Sequence, residues 1–357
     1  MAGNRIAVIT TSYPSHDHDP AGHFVRSECQ ILAGAGYDVH VIAPVSSTCR
    51  ASFVDKDVSV WPIAHAGAFG WPGAAARIRV APWKITGAFF FAAEAVVRLR
   101  RLRPDRIIAH WIVPSAFPIV SCCRPSDLEV VAHGADVRLL LALPLAVRVC
   151  VVSEVLSRAS SVRFAAEAGL LSLMNSLPRD LANGLKSVSK VVLPAVEVCD
   201  VSEAAASIRN AYCSSALIVT VSRLVRSKRV DIAIDAIGRL GMSAELVIVG
   251  DGPDRGRLES LSSGKCVKFV GFVPRKEALA WISAADVLVH VSEKEAAPSV
   301  IREARLLGTP VVACAVGDVL RWAEADCGIV VAGTDPSEVA ASVTRVLRLA
   351  KGSGGLC

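Results

Sequence analysis

Two carboxylates, Glu295 and Glu303, stand eight positions apart around a proline in SEKEAAPSVIREARLLGTPVV, residues 292–312. Pro298 and Ser299 predict a helix start, and Gly308 its end near Leu307. Glu303 then shares a face with Ser299 at i, i+4, and Glu295 lies in the preceding loop. The main-chain N–H groups from Ala297 to Ile301, Val300 included, have no helical partner at such a start. With the helix dipole behind them they form an anion site. One carboxylate could hold a sugar's hydroxyls and the other a ribose diol, with phosphates between. Taken singly, either glutamate reads first as an acid favoured by a helix start.

Three stretches upstream make the pair more than that. Arg223 and Lys228 in SRLVRSKRVDIAIDAI follow an apolar strand, where a forked guanidinium and a point-charge lysine can neutralise a diphosphate. Gly250 and Gly252 in IVGDGPDRGRLESL close a second strand and admit close backbone approach, although ordinary tight turns use the same residues. In VGFVPRKEALAWISAADVLVHVS, the loop Gly271–Pro274, with Phe272 and Val273, could line a nucleobase through main-chain groups. Asp286 is expected to orient the strand after it.

The elements that hold these residues alternate β and α. RIAVI, YDVHVIAP, RIIAH, LEVVAH, VRVCVVS and SKVVLP read as strands in the first half, and LIVTVS, AELVIVG, KCVKFVG, DVLVHVS and PVVAC in the second. Helices are predicted over Phe24–Ala35 and roughly Pro82–Arg103. Compact apolar strands with helices between them imply parallel sheets covered on both faces. A 357-residue chain accommodates two such units. We expect an α/β protein of two Rossmann-like domains facing a cleft: residues 1–194, residues 195–350, and a flexible tail at 351–357. Ligands of such sheets bind outside the carboxyl ends of the strands, where the residues above fall.

The ordered set R-L-x-x-x-K, G-D-G-P, G-F-V-P, A-A-D-V-L-V and E-x7-E with EARLLGTPVV resembles the group 1 family of retaining glycosyltransferases, over about residues 217–345. The resemblance implies the GT-B fold and transfer of a sugar from a UDP- or GDP-sugar to an acceptor hydroxyl, without metal or other cofactor. It places Glu295 at the donor sugar, Glu303 at the ribose, and Arg223 and Lys228 on the diphosphate. In the first half, GHFVRSECQILAGAGYDVHVIAP looks like the family's first-loop glycine and helix, which puts Gly22 near phosphate or acceptor. PDRIIAHWIVPSAF places His110 and Trp111 on the acceptor side. HGADVR looks like H-G-x-D, with His133 near the donor sugar and Asp136 a helix cap or acceptor-side residue. The chain departs from the pattern at Ala296 and Ala297, usually glycine and phenylalanine, and at LPAVEV, which lacks an asparagine and a glycine. Arg229 replaces the glycine after the lysine.

Two competing functions share this architecture: a UDP-sugar epimerase, and a non-catalytic sugar-nucleotide-binding partner subunit. An NAD-linked oxidoreductase fits poorly, since no G-x-G-x-x-G follows the first strand. The net charge is +6, with Arg98, Arg100, Arg101, Arg103 and Arg106 within nine residues. That run reads first as a solvated helix end. Preceded by Trp71, Trp83, Phe89, Phe90 and Phe91 beside Arg77, Arg79 and Lys84, it also suits an anionic membrane surface and a saccharide or lipid-linked acceptor. No nucleic-acid motif accompanies the charge. Eleven scattered cysteines, without C-x-x-C, imply free thiols, with Cys29, Cys150 and Cys314 acting as small hydrophobes. No apolar run is long enough for a signal peptide or a membrane span, so a cytoplasmic protein, at most resting on the membrane's inner face, is expected.

Overall fold

The computed structural model describes residues 5–14, 22–44, 51–70, 74–122, 127–194, 196, 198–212, 216–240 and 243–351. The chain divides into two compact units, Met1–Ala195 and Val196–Cys357.

The first unit holds eight strands: β1 (Arg5–Ile9), β2 (Asp38–Pro44), β3 (Phe53–Asp55), β4 (Val58–Ile63), β5 (Arg106–His110), β6 (Asp127–Ala132), β7 (Ser161–Phe164) and β8 (Ser189–Val191). They form one sheet in the order β3-β4-β2-β1-β5-β6-β7-β8, parallel except for the β3–β4 hairpin. Alternate residues of a strand face opposite ways, so a sheet covered on both sides needs apolar residues at every position. In β1, Ala7 and Ile9 enter one core with Ile42, Ile107 and Val130. Ile6 and Val8 enter the other with Val39, Val41 and Ile108.

The second unit holds β9 (Ala216–Val221), β10 (Ala244–Val249), β11 (Val267–Gly271), β12 (Val287–His290), β13 (Val311–Cys314) and β14 (Ile329–Ala332). Its sheet runs β11-β10-β9-β12-β13-β14, parallel throughout. That is the doubly wound 3-2-1-4-5-6 order, whose reversal falls between β9 and β12. Asp286 orients its strand, as expected: Oδ2 accepts from Leu217 N at the start of β9 (2.7 Å) and from Arg209 Nη1 (2.7 Å).

Several expectations need correction. VRVCVVS is not a strand but lies in the helix Leu145–Leu156. Pro144 opens that helix, Val151, Val152 and Val155 are buried at helical spacing, and Arg148 donates to the carbonyls of Leu140, Leu141, Leu143 and Ser176. β-Branched composition had hidden a 3.6-residue period. Cys150 lies exposed on this helix, whereas Cys29 and Cys314 are buried free thiols; Cys327 is disulfide-bonded rather than free. The strands β3, β4, β7 and β14 were not anticipated. The β3–β4 turn uses Lys56 and Asp57 at positive φ (46° and 67°) in place of the Asn-Gly that signals a hairpin. Lys351 ends the helix Pro336–Lys351, and the rest of the expected tail lies outside the described residues.

Candidate active site

At the strand-order reversal of the second unit, the polypeptide leaving β9 carries Ser222 and exposed Arg223, then a 3-10 turn, Arg226–Lys228. The polypeptide leaving β12 carries Ser292 and Glu295. Glu293 N donates to Ser227 O (2.9 Å) and ties the two segments together. Lys228 Nζ forms an ion pair with Glu295 Oε1, and both side chains are largely buried. His290, the last residue of β12, brings Nε2 to 3.5 Å from the same oxygen. Burial works to raise the Glu295 carboxyl, but His290 and the Lys228 charge outweigh it and hold it at about 2. Burial pushes His290 below its ordinary value and keeps it neutral. Ser222 Oγ and Ser292 Oγ are buried without a hydrogen-bond partner among the described residues. Orphaned hydroxyls at a strand-end crevice mark where a polar ligand would sit.

The glycines around this crevice admit protein backbone. A Cβ on Gly250, at φ 134°, would lie 1.9 Å from Ser222 O, and one on Gly252 would lie 2.3 Å from Leu224 O. The turn after β10 is thus packed against the segment that bears Arg223. Gly317, after β13, plays the same part on the other side: its Cβ would meet Ala296 O at 2.2 Å. Arg229 adopts the left-handed conformation (φ 47°, ψ 39°), so the turn that a glycine would favour is kept.

The helix predicted after Pro298 spans Ser299–Leu306, with Pro298 at its N-cap, Ser299 exposed and Gly308 at φ 80° beyond it. Glu303 is buried on it and paired with Arg275 Nη1 (2.7 Å). Arg275 opens the next helix upstream, directly after the Gly271–Pro274 loop. In that loop Gly271 O accepts from Gly250 N (2.8 Å), Val273 is half-buried, and Phe272 is 51% exposed.

In the first unit, the strand ends β1, β5 and β6 gather a second cluster. Gly22, at φ 72°, precedes the helix His23–Gly34; a Cβ there would meet Ser12 O at 2.3 Å. His110 closes β5 and His133 follows β6. Their rings stack at 9°, with His110 Nδ1 and His133 Nε2 2.9 Å apart. Phe24 and Trp111 flank His133, each with its ring centroid 4.8 Å away. Burial holds both imidazoles below their ordinary value, His133 at about 3. His110 is wholly buried, so it backs His133 and offers no surface to an acceptor. Asp136 is buried too. Its carboxylate accepts from Ile112 N (2.8 Å), His133 N (3.1 Å) and Gly134 N (3.0 Å), the backbone bonds that the helix-cap alternative calls for.

Residues 215–348 match the family described as Glycosyl transferases group 1. A Bacillus subtilis protein named for teichuronic acid biosynthesis, the glycosyltransferase TuaC, is 28% identical over 342 residues, 88% of this chain and 82% of its own. The GDP-mannose-dependent α-(1-6)-phosphatidylinositol dimannoside mannosyltransferase of Mycobacterium tuberculosis is 33% identical over 135 residues, 37% of this chain and 35% of its own. The chain carries a group 1 glycosyltransferase domain over residues 215–348. Its fold is GT-B: sucrose-phosphate synthase of Thermosynechococcus elongatus superposes with a TM-score of 0.75, at 20% identity over 99% of this chain and 92% of that one. Anabaena HepE in complex with UDP-glucose superposes at 0.68, with 17% identity over 99% and 92%.

Besides Ser222 and Ser292, four residues near these strand ends escaped the sequence reading. His290 sits in VLVHVS, where one histidine closing an apolar strand looks like core; Gly317 sits in an unremarked CAVGDV. Arg275 and Glu28 are charges on predicted helices whose partners are far away in sequence. The basic, aromatic stretch also divides. Trp83, Phe89 and Phe90 are 70–71% exposed, but Phe91 is fully buried. Arg98 pairs with Glu94, and Arg106 pairs with Glu129 within the sheet and so leaves the patch. Trp71 and the Arg79 side chain lie outside the described residues. No described helix is long and apolar enough to cross a membrane.

Proposed function

We propose that this glycosyltransferase moves a sugar from a UDP- or GDP-sugar to an acceptor hydroxyl with retention of anomeric configuration, in the synthesis of an envelope polysaccharide or glycolipid. The observation that carries the reading is the crevice between β9 and β12. There Lys228, Arg223 and the start of the helix Ser299–Leu306 supply positive potential, Glu295 stays ionised, and two serine hydroxyls await partners. Departure of the nucleoside diphosphate builds negative charge, and fixed cations and backbone N–H groups stabilise it without reorganisation. Glu295 takes the sugar's hydroxyls. Glu303 takes the ribose diol, in exchange for part of its pairing with Arg275, and the Gly271–Pro274 loop takes the base. The bond from the anomeric carbon to phosphate breaks as the bond to the acceptor oxygen forms on the same face, and the acceptor proton passes to the leaving phosphate. The protein's own cations perform the neutralisation, so the scheme assigns no metal.

The acceptor falls to the first unit, where Gly22, Trp111 and His133 gather at the strand ends. The outer face of the helix Ile85–Leu102 suits a lipid-linked acceptor. Phe89, Ala93 and Val97 repeat at i, i+4 and i+8 spacing on the exposed side with Phe90 beside them, where a surface helix ordinarily carries polar residues, and Arg100 and Arg101 follow. A lipid-linked acceptor would bring the protein to the cytoplasmic face of a membrane. The test of the full reading is a panel of UDP- and GDP-sugars offered with and without lipid-extract acceptors. Acceptor-dependent release of one nucleoside diphosphate supports transfer; donor isomerisation without an acceptor would instead indicate an epimerase.

A further inference from the structure

Behind His133 the first unit contains a chain of polar groups that the donor reading leaves unused. Glu28, on the helix His23–Gly34, sets Oε2 3.7 Å from His110 Nε2. That nitrogen is buried with no hydrogen-bond partner among the described residues. The other Glu28 oxygen, Oε1, accepts from Arg163 Nη2, and Arg163 Nε lies 2.5 Å from buried Glu129 Oε1. The carboxylate is therefore fixed from behind by a guanidinium, with its second oxygen turned to the imidazole.

This arrangement dictates where the protons sit. A lone pair on His110 Nε2 would face an anion inside the protein, whereas an N–H there is attracted to it. His110 Nδ1 then carries the lone pair. Across 2.9 Å it can face only an N–H, so His133 is protonated on Nε2 and presents Nδ1 as an acceptor. We propose that Glu28 and His110 are positioning residues that lock His133 in this tautomer, making it a hydrogen-bond acceptor for a hydroxyl of a bound sugar. The role at a sugar rests on the proposed transfer function; the tautomer itself does not. Both rings stay neutral because burial, reinforced by the Arg163 charge, disfavours the imidazolium.

Glu28→Gln makes a sharp test. Arg163 needs an acceptor, so it holds the amide oxygen and leaves the NH2 facing His110 Nε2. The chain reverses: His110 is protonated on Nδ1, and His133 also on Nδ1, now a donor. Long-range 1H–15N correlation on full-length protein with 15N-labelled histidine, assigned with His110→Gln and His133→Gln, reads the tautomers directly. The expected result is His133 protonated on Nε2 in the wild type and on Nδ1 in Glu28→Gln, with kcat/KM for transfer reduced roughly tenfold for one lost hydrogen bond. Wild-type His133 protonated on Nδ1 overturns the proposal even if the variant does not fold, as does an unchanged tautomer in a folded variant. A reversed tautomer with unchanged kcat/KM overturns the role at the sugar, and places the failure in the position of His133 rather than in the chain behind it.

Discussion

Glu295 keeps its charge where burial alone would favour the neutral acid, and Lys228 and His290 are the reason. Because its folded value, about 2, lies below the ordinary 4.5, the unfolded chain binds the proton first as pH falls. The pair's contribution is complete above pH 4.5 and is lost as pH falls towards 2. Urea unfolding between pH 5 and pH 3 should therefore weaken more steeply in the wild type than in Glu295→Gln; parallel slopes would contradict the pairing. On activity, Glu295→Gln and Lys228→Ala should each lower kcat by about 100- to 1000-fold, the cost of losing one preorganised stabilising group, with unchanged circular dichroism. The sequence made Glu295, Lys228 and Glu303 visible through their order along the chain. His290 stayed hidden because a histidine at the end of an apolar strand carries no pattern of its own. Only the fold shows that it points at Glu295 rather than into a saturated core.

At the scale of elements, longer apolar strands such as AELVIVG were legible, whereas β7 (SVRF), a four-residue strand between β6 and β8, carries an arginine and was not. The glycines of GDGP were visible, but the groups they make room for, Ser222 and Leu224, come from another strand's loop. Gly250→Ala should destabilise the second unit by at least ~1–3 kcal/mol, because a Cβ would strike backbone at a disfavoured φ. A melting temperature unchanged by that substitution would contradict the packing. The apolar outer face of the helix Ile85–Leu102 makes its own prediction. Phe89→Ser with Phe90→Ser should release the protein from vesicles of anionic phospholipid, each ring forfeiting about 1.5–3 kcal/mol of burial. Equal co-sedimentation of wild type and double variant, at low and high salt alike, would remove the membrane from the account.

For the whole molecule, three histidines, buried His110 and His290 and half-buried His133, are held neutral below the pH at which free imidazole protonates. Depressed folded values mean that the unfolded chain takes up protons first, so stability should fall as pH drops below about 6.5. Denaturant midpoints compared at pH 7.5 and pH 5.5 check this, and equal midpoints would argue against it. Alternation of strands and helices announced two Rossmann-like units, because doubly covered parallel sheets demand continuous apolar strands. Chemistry was legible chiefly in the second unit, where motifs follow strands in a fixed order. In the first, the groups that matter are brought together only by the sheet. The central claim is retaining transfer from a nucleoside-diphosphate sugar, and proton NMR of the product formed from an α-linked donor tests it most directly. The account predicts an α-glycoside whose formation is lost in Glu295→Gln; a β-glycoside, or undiminished product from that variant, would contradict it.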